Sequence, residues 1–293
     1  MDYTNKTQGK SMMKRVGWFF ASFSPLIYFF MIQLFAVVAM VWSKVIEQLP
    51  AMVMITTEEE YLALFDTLMD SSMNGVMSAE VFSQSLGIVC FGLWYYYCTG
   101  KPKWRSPREV LNAKSVGYII GLCVSVDILI SLVMGLVENI LPDVMAEYEE
   151  LMDLAGLNDL SVFVMLTAVI LAPIVEELAF RGCTIGMAEK TGLPFWVINI
   201  FQAALFGAAH MNWVQSSYAF VLGLLLGYVY HRYHSLWAAI LLHFIFNFLG
   251  TVVTSLVSGL TLLDLPAITI ILYIAGTIGV IAFIRLIAKD TNK

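Results

Sequence analysis

The feature that most constrains this chain is its first apolar stretch, because residues 17–43 contain no Asp, Glu, Lys or Arg. A helix of this length, at about 1.5 Å per residue, exceeds the roughly 30 Å of a bilayer's hydrocarbon core and can cross it with some tilt. The stretch is far longer than the apolar core of a signal peptide, so we expect an uncleaved span. With 59% hydrophobic and 13% charged residues, the chain also has too little polar surface for a soluble domain of 293 residues.

Hydropathy predicts seven further spans. The chain is therefore predicted to be all-α, a polytopic membrane protein with about eight transmembrane helices in one membrane domain, residues 1–293. The predicted spans are residues 17–43, 81–99, 115–137, 161–188, 194–211, 217–230, 235–253 and 266–287.

The charges between these spans predict the orientation. Of the 16 Lys and Arg, all except Lys44 fall on one side, although Arg181 lies within a span. Because basic residues gather in cytoplasmic loops, we predict cytoplasmic termini. We also predict a location in the plasma membrane. The net charge of −6 comes from acidic outer loops, and the absence of a basic stripe predicts no nucleic-acid partner.

The first outer loop carries a helix signal. Thr57 and Glu60 have the spacing of a capping box. The segment that follows, YLALFDTLM, has apolar residues at helical spacing. We predict an amphipathic helix that lies along the outer membrane surface.

Three charges, Glu176, Glu177 and Arg181, lie inside the predicted fourth span. A charge at the bilayer centre costs between about 2.5 and more than 10 kcal/mol, so such residues usually have a function. On a helix, Arg181 lies about 40° from Glu177 but about 140° from Glu176. The spacing predicts a Glu177–Arg181 ion pair and leaves Glu176 available as a general base. Alternatively, all three charges only tie this helix to its neighbours.

Two of the four histidines, His210 and His243, also lie in apolar spans. Phe206 precedes the first by one helical turn, and Asn247 follows the second by one turn. Hydrolysis of an amide needs a base, a group that orients water and donors for the oxyanion. We assign these roles to Glu176, to His210, and to His243 with Asn247, respectively.

Zinc is the competing explanation, because Glu and His are zinc ligands. The ligands would then be Glu176, His210 and His243, although the H-E-x-x-H motif is absent. The residues alone do not separate metal-bound water from carboxylate-activated water. We favour a site without a cofactor, because an unpaired carboxylate and an amide donor need no metal.

These residues resemble a known family, the CPBP intramembrane proteases, which include the CAAX prenyl endopeptidases and bacterial members linked to bacteriocin immunity. The resemblance covers about residues 171–249 and implies a catalytic core at about 161–253. Gly223 and Gly227 also look like the small-residue packing of this family, and their spacing suits close helix contact. The resemblance is carried by three motifs on successive apolar helices: Glu176-Glu177-x-x-x-Arg181, Phe206-x-x-x-His210 and His243-x-x-x-Asn247.

The resemblance implies an intramembrane endopeptidase that acts on a peptide or membrane-protein substrate. It also implies the roles of the motif residues. Glu176 and His210 would activate water, His243 and Asn247 would support the oxyanion, and Glu177, Arg181 and Phe206 would support the site. Prenylated CAAX tails belong to one branch of the family, and no residue here establishes that branch.

Two other functions stay open. A non-proteolytic scaffold or immunity protein could use the same residues to hold a binding cavity, and its function would tolerate Glu176→Gln. A transporter would bind substrate at mid-membrane polar residues, and Asp127 in the third span would then join the site. The sequence contains no evident internal repeat of the kind found in many transporters, so we leave Asp127 out of the site.

Overall fold

A computed structural model describes residues 3–100, 105–154, 156, 161–253 and 265–292. These residues form helices and turns, and no strand occurs among them, which confirms the all-α class. A single helical turn, Pro107–Val110, lies between the third and fourth long helices. The main helices are α1 Tyr3–Ala21, α2 Ser24–Met52, α3 Glu58–Trp94, α4 Ala113–Ile140, α5 Pro142–Leu154, α6 Val162–Thr191, α7 Phe195–Ala208, α8 Trp213–Tyr233, α9 Leu236–Phe248 and α10 Pro266–Thr291.

Seven segments of the described chain are long and apolar enough to cross a membrane. The protein is therefore an integral, multi-pass membrane protein. The fifth predicted span, 194–211, contains α7, which is apolar but has only 14 residues. At about 1.5 Å per residue, α7 is some 21 Å long. It is therefore shorter than the hydrocarbon core of a bilayer, which is roughly 30 Å thick. The cytoplasmic position of the termini stays a prediction.

The first outer loop differs from the sequence-based expectation. The capping box is confirmed, because the Thr57 side chain accepts a hydrogen bond from the Glu60 amide and the Glu60 carboxylate accepts one from the Thr57 amide. The helix along the membrane surface is wrong, since α3 runs without a break from this cap into the second span. An unbroken helix keeps its backbone hydrogen bonds as it enters the lipid. As a result, Glu80 lies within a membrane span instead of an outer loop.

Helix α6 carries the three charges and is irregular. It contains two π-helical stretches, Met165–Leu171 and Glu177–Ile185, separated by one α-helical segment. π-Helical turns are uncommon and occur frequently at functional sites. As predicted, the helix continues past Arg181, and it ends before Gly192, which adopts a left-handed conformation at φ 72°.

Helices α6 and α8 are the most buried spans and form the centre of the bundle. Helix α7 packs against α8 at two glycines. A Cβ atom on Gly227 would lie 1.8 Å from Asn199 Oδ1 and 2.7 Å from Gln202 Nε2. A Cβ atom on Gly223 would lie 3.1 Å from the Ala203 backbone. The two glycines therefore allow the close contact that their spacing predicts.

Gly227→Ala should lower the free energy of unfolding by about 1–3 kcal/mol, because the added methyl group forces α7 and α8 apart. Thermal unfolding in detergent would measure this loss. Gly117→Ala is a matched control, since a Cβ atom there meets no atom within 4 Å. Equal stability of the two variants would contradict the proposed contact.

Candidate active site

The buried centre of the site is an ion pair on α6. Arg181 Nη1 lies 2.8 Å from Glu177 Oε1, and both side chains are 0% exposed. This is the pair that the helical spacing predicts. The same carboxylate oxygen also accepts a hydrogen bond from His243 Nδ1 on α9, at 2.8 Å. One glutamate thus joins two helices of the predicted core.

Arg181 is held by two further contacts. Its Nη2 donates to the Gly223 carbonyl oxygen on α8 at 3.3 Å, and its guanidinium carbon lies 4.4 Å from the centre of the Phe206 ring. Gln202 Nε2 on α7 donates to the same Gly223 oxygen at 2.8 Å. Glu177, Arg181 and Phe206 therefore connect α6, α7, α8 and α9. Gln202 was missed by the sequence analysis, and its signal was a polar residue one turn before Phe206.

Glu176 is separate from this ion pair. Its side chain is 16% exposed, whereas that of Glu177 is fully buried. His243 is its partner, with Nε2 3.7 Å from Glu176 Oε2. The His243 ring is 3% exposed and lies between the two glutamates, with one nitrogen directed to each. The sequence motifs instead predict a pairing of Glu176 with His210.

The hydrogen bonds of the two imidazoles define their neutral tautomers. His243 Nδ1 faces the Glu177 carboxylate, and His210 Nδ1 lies 2.9 Å from the Phe206 carbonyl oxygen. Since both partners accept hydrogen bonds, each Nδ1 carries the hydrogen atom. Each Nε2 then has a free lone pair. A neutral His243 can orient a water molecule through Nε2, but it donates to an oxyanion there only as an imidazolium.

The Phe206 ring connects the two histidines. It meets both imidazoles edge to face, with centroid distances of 5.1 Å to His210 and 5.7 Å to His243. His210 follows the end of the short helix α7 and is half-buried. The two imidazoles therefore flank one aromatic ring.

Asn247 lies one turn after His243 on α9 and is half-buried. Its Nδ2 donates to the Ala168 carbonyl oxygen at 2.7 Å, within the first π-helical stretch of α6. An amide nitrogen has two hydrogens, so one donor is left for a substrate. The hydrogen bond fixes the direction of this amide.

Helix α3 adds a carboxylate that the sequence analysis placed in a loop. Gln84 Nε2 donates to Glu80 Oε1 at 2.6 Å, and Glu80 interacts electrostatically with Glu176. The helices approach closely here, because a Cβ atom on Gly87 would lie 2.6 Å from Val175 Cγ2. The signal in the sequence was a pair of polar residues four apart, which share a helical face.

Helix α5 reaches the same region through a pair of tyrosines. The hydroxyl of Tyr148 lies 3.1 Å from that of Tyr218 on α8. Tyr218 also interacts electrostatically with Glu176 and contacts the Phe246 ring at a centroid distance of 6.3 Å. The loop helix α5 is thereby attached beside the candidate site.

Asp127 lies apart from these contacts. It is half-buried on α4, one turn after Cys123, whose thiol donates to the Leu242 carbonyl oxygen on α9 at 3.5 Å. Within the part of the chain that the structure describes, Asp127 makes no hydrogen bond or ion pair with Glu176, His210 or His243. The structure therefore gives no geometric reason to add it to the site.

The predicted zinc ligands do not form a metal-binding group. Among the described residues, no three His, Cys, Asp or Glu side chains come together in a way that could hold a metal ion. His243 Nδ1 is committed to Glu177, and His210 Nδ1 to a backbone carbonyl. These bonds leave both Nε2 atoms free, and metal-binding histidines commonly donate their other ring nitrogen in the same way. What the described residues lack is the close group of three ligands that a zinc centre requires.

Comparison with known families agrees with the motifs. Residues 158–249 match the family described as Rce1-like, type II CAAX prenyl endopeptidase. This match confirms the resemblance and supports an intramembrane CAAX-type endopeptidase at the level of the family. It covers less than half of the chain but includes Glu176, His210, His243 and Asn247. No curated protein and no solved structure matched the chain.

Proposed function

From the similarity of residues 158–249 to type II CAAX prenyl endopeptidases, we propose that this protein hydrolyses a peptide bond within the membrane. Water activated by a glutamate would be the nucleophile. The observation that carries this proposal is the His243 ring, which lies between a buried, ion-paired Glu177 and a partly exposed Glu176. A general base must be reachable by substrate. Of the two carboxylates, only that of Glu176 is partly exposed.

Glu176 is the base in this mechanism. A water molecule near its carboxylate donates one hydrogen bond to it and the other to His243 Nε2, which is held as an acceptor by the Nδ1–Glu177 bond. The separation of 3.7 Å between Glu176 Oε2 and His243 Nε2 supports this pairing over the pairing with His210. His210 also keeps an acceptor nitrogen, and its ring contacts Phe206, which contacts His243 as well.

The reaction balances with these groups alone. The water oxygen forms a bond to the substrate carbonyl carbon while one of its protons moves to Glu176. The carbonyl oxygen becomes an oxyanion, for which the free Nδ2–H of Asn247 is the donor. Collapse of this intermediate breaks the carbon–nitrogen bond, and Glu176 returns the proton to the leaving amine.

The name of the matching family makes a prenylated CAAX peptide the first substrate to assay. Signalling peptides, bacteriocin-related peptides and membrane-protein segments are the others. We expect the plasma membrane as the location and the cytoplasmic leaflet as the side from which substrate enters.

The test compares the peptide termini in membranes that carry the wild-type chain with those in membranes that carry Glu176→Gln. Quantitative mass spectrometry should find termini that vanish in the variant at equal protein level. Termini that persist with EDTA present support carboxylate-activated water. Their loss with EDTA would contradict it.

A scaffold or immunity protein gives the opposite result. The protease proposal would be overturned if membranes with Glu176→Gln contain the same peptide termini as membranes with the wild-type chain, and cells with the variant keep the wild-type phenotype. Glu59→Gln is the matched control, because Glu59 is an exposed residue in the first turn of α3.

A further inference from the structure

A cavity of about 620 Å³ opens between α2 and α3, outside the site described above. This volume lies in the range of small-molecule binding sites. Small side chains form most of its wall, so that the two helices leave space between them. The cavity is lined by Ala36, Ala39, Met40, Ser43, Lys44, Ser71, Gly75, Ser78, Ala79 and Phe82.

The cavity is apolar at one end and charged at the other. The register of the two antiparallel helices is set by Met40, whose side chain lies against Gly75. Ala36 and Ala79 are both buried, one turn farther from the α2–α3 connection. Lys44 lies one turn nearer to that connection, so its ammonium group marks the charged end.

Lys44 is unusual in the sequence. It is the one Lys or Arg that the predicted topology leaves on the outer side, where basic residues are otherwise avoided. Its partner is Glu47, at 3.1 Å, with side-chain exposures of 31% and 62%, respectively. A pair this exposed contributes little, so an incoming anion can replace Glu47.

We propose that this cavity binds one phospholipid with an anionic headgroup. The headgroup phosphate pairs with Lys44, and an acyl chain lies along Ala39 and Ala36 towards the apolar end. Both helices are membrane spans, so phospholipids surround them, and Lys44 lies at the outer end of its span, where headgroup phosphates are found. The lipid would contact the face of α3 that contains Ala79, which is next to the face that contains Glu80.

The test is retention of lipid by the purified full chain. The protein is placed in nanodiscs of phosphatidylcholine and phosphatidylglycerol and released into a native mass spectrometer. The wild-type chain should retain one phosphatidylglycerol. Lys44→Gln should reduce this retention roughly fivefold, the effect of one Lys on an anionic lipid, and Ala39→Leu should remove it by filling the cavity.

Two controls match these variants. Lys289→Gln removes an exposed lysine and Ala275→Leu enlarges an exposed alanine, both on α10 and away from the cavity. Both controls should retain the lipid. If Ala39→Leu fails to fold, Lys44→Gln decides the test alone.

Several outcomes would overturn the proposal. Equal retention by the wild-type chain, Ala39→Leu and Lys44→Gln would place the lipid elsewhere. Retention of phosphatidylcholine as strongly as phosphatidylglycerol would remove the role of the charge. Displacement by a lipid-modified peptide would identify the cavity as a substrate site, and displacement by inorganic phosphate would identify an anion site. Because the readout is binding, it does not depend on the proposed protease activity.

Discussion

Glu176→Gln and His243→Gln should each lower kcat by about 10²–10⁴-fold, and the double variant should lose no more than the stronger single variant. Glu176 takes the proton and His243 Nε2, 3.7 Å away, orients the same water. Groups that act as one unit give non-additive losses. The measurement is cleavage of the identified substrate by the purified protein in detergent or nanodiscs.

The controls change the same residue types away from the site. Glu59 is exposed at the start of α3, and His234 is exposed at the turn between α8 and α9 with φ 49°. Glu59→Gln and His234→Asn should retain full activity, because Asn tolerates a left-handed backbone. Losses that simply multiply in the double variant would contradict a shared water molecule and leave His243 a separate role.

The sequence predicts those parts of the site that one helix determines. The Glu177–Arg181 pair follows from a spacing of four residues, which a helical backbone brings together wherever it occurs. This pair needs no knowledge of how the helices pack.

Contacts between helices could not be predicted in the same way. His243 bonds to Glu177, which lies 66 positions away in the sequence. The alignment of α9 with α6 that allows this bond depends on the π-helical turns of α6 and on close contacts such as Gly87 against Val175. Neither feature has a reliable sequence signal. The tautomer of His243, and with it the role of its Nε2, follows only from this contact.

Hydropathy likewise predicts spans but not helix ends. It averages over a window, so the short helix α7 was extended to residues 194–211, and the second span was started at 81 although α3 begins at Glu58. Because the second span was started at 81, Glu80 was placed outside the membrane and therefore outside the candidate site. A polar residue at the edge of an apolar window is the case in which such averaging fails.

Arg181→Met should lower the free energy of unfolding by about 3–5 kcal/mol, the largest stability effect that we expect in this protein. The substitution leaves the Glu177 carboxylate buried without its cation, and the loss of one partner from a buried ion pair is more costly than the loss of both. Methionine keeps an apolar side chain against Phe206, so the packing loss is small. Unfolding of the purified chain in detergent with increasing SDS would measure the change.

The double variant Glu177→Gln/Arg181→Met separates charge from packing. It removes both charges, while the Gln side chain keeps an oxygen that can accept the hydrogen bond from His243 Nδ1. We expect it to recover most of the stability that Arg181→Met loses, because no uncompensated charge remains. A double variant as unstable as the sum of its single variants would instead show that Arg181 stabilises the bundle through Gly223 and Phe206. If the negative charge of Glu177 orients His243, cleavage should stay impaired in the stable double variant. Stability would then depend on the balance of the two buried charges, and activity on the negative charge of Glu177 itself.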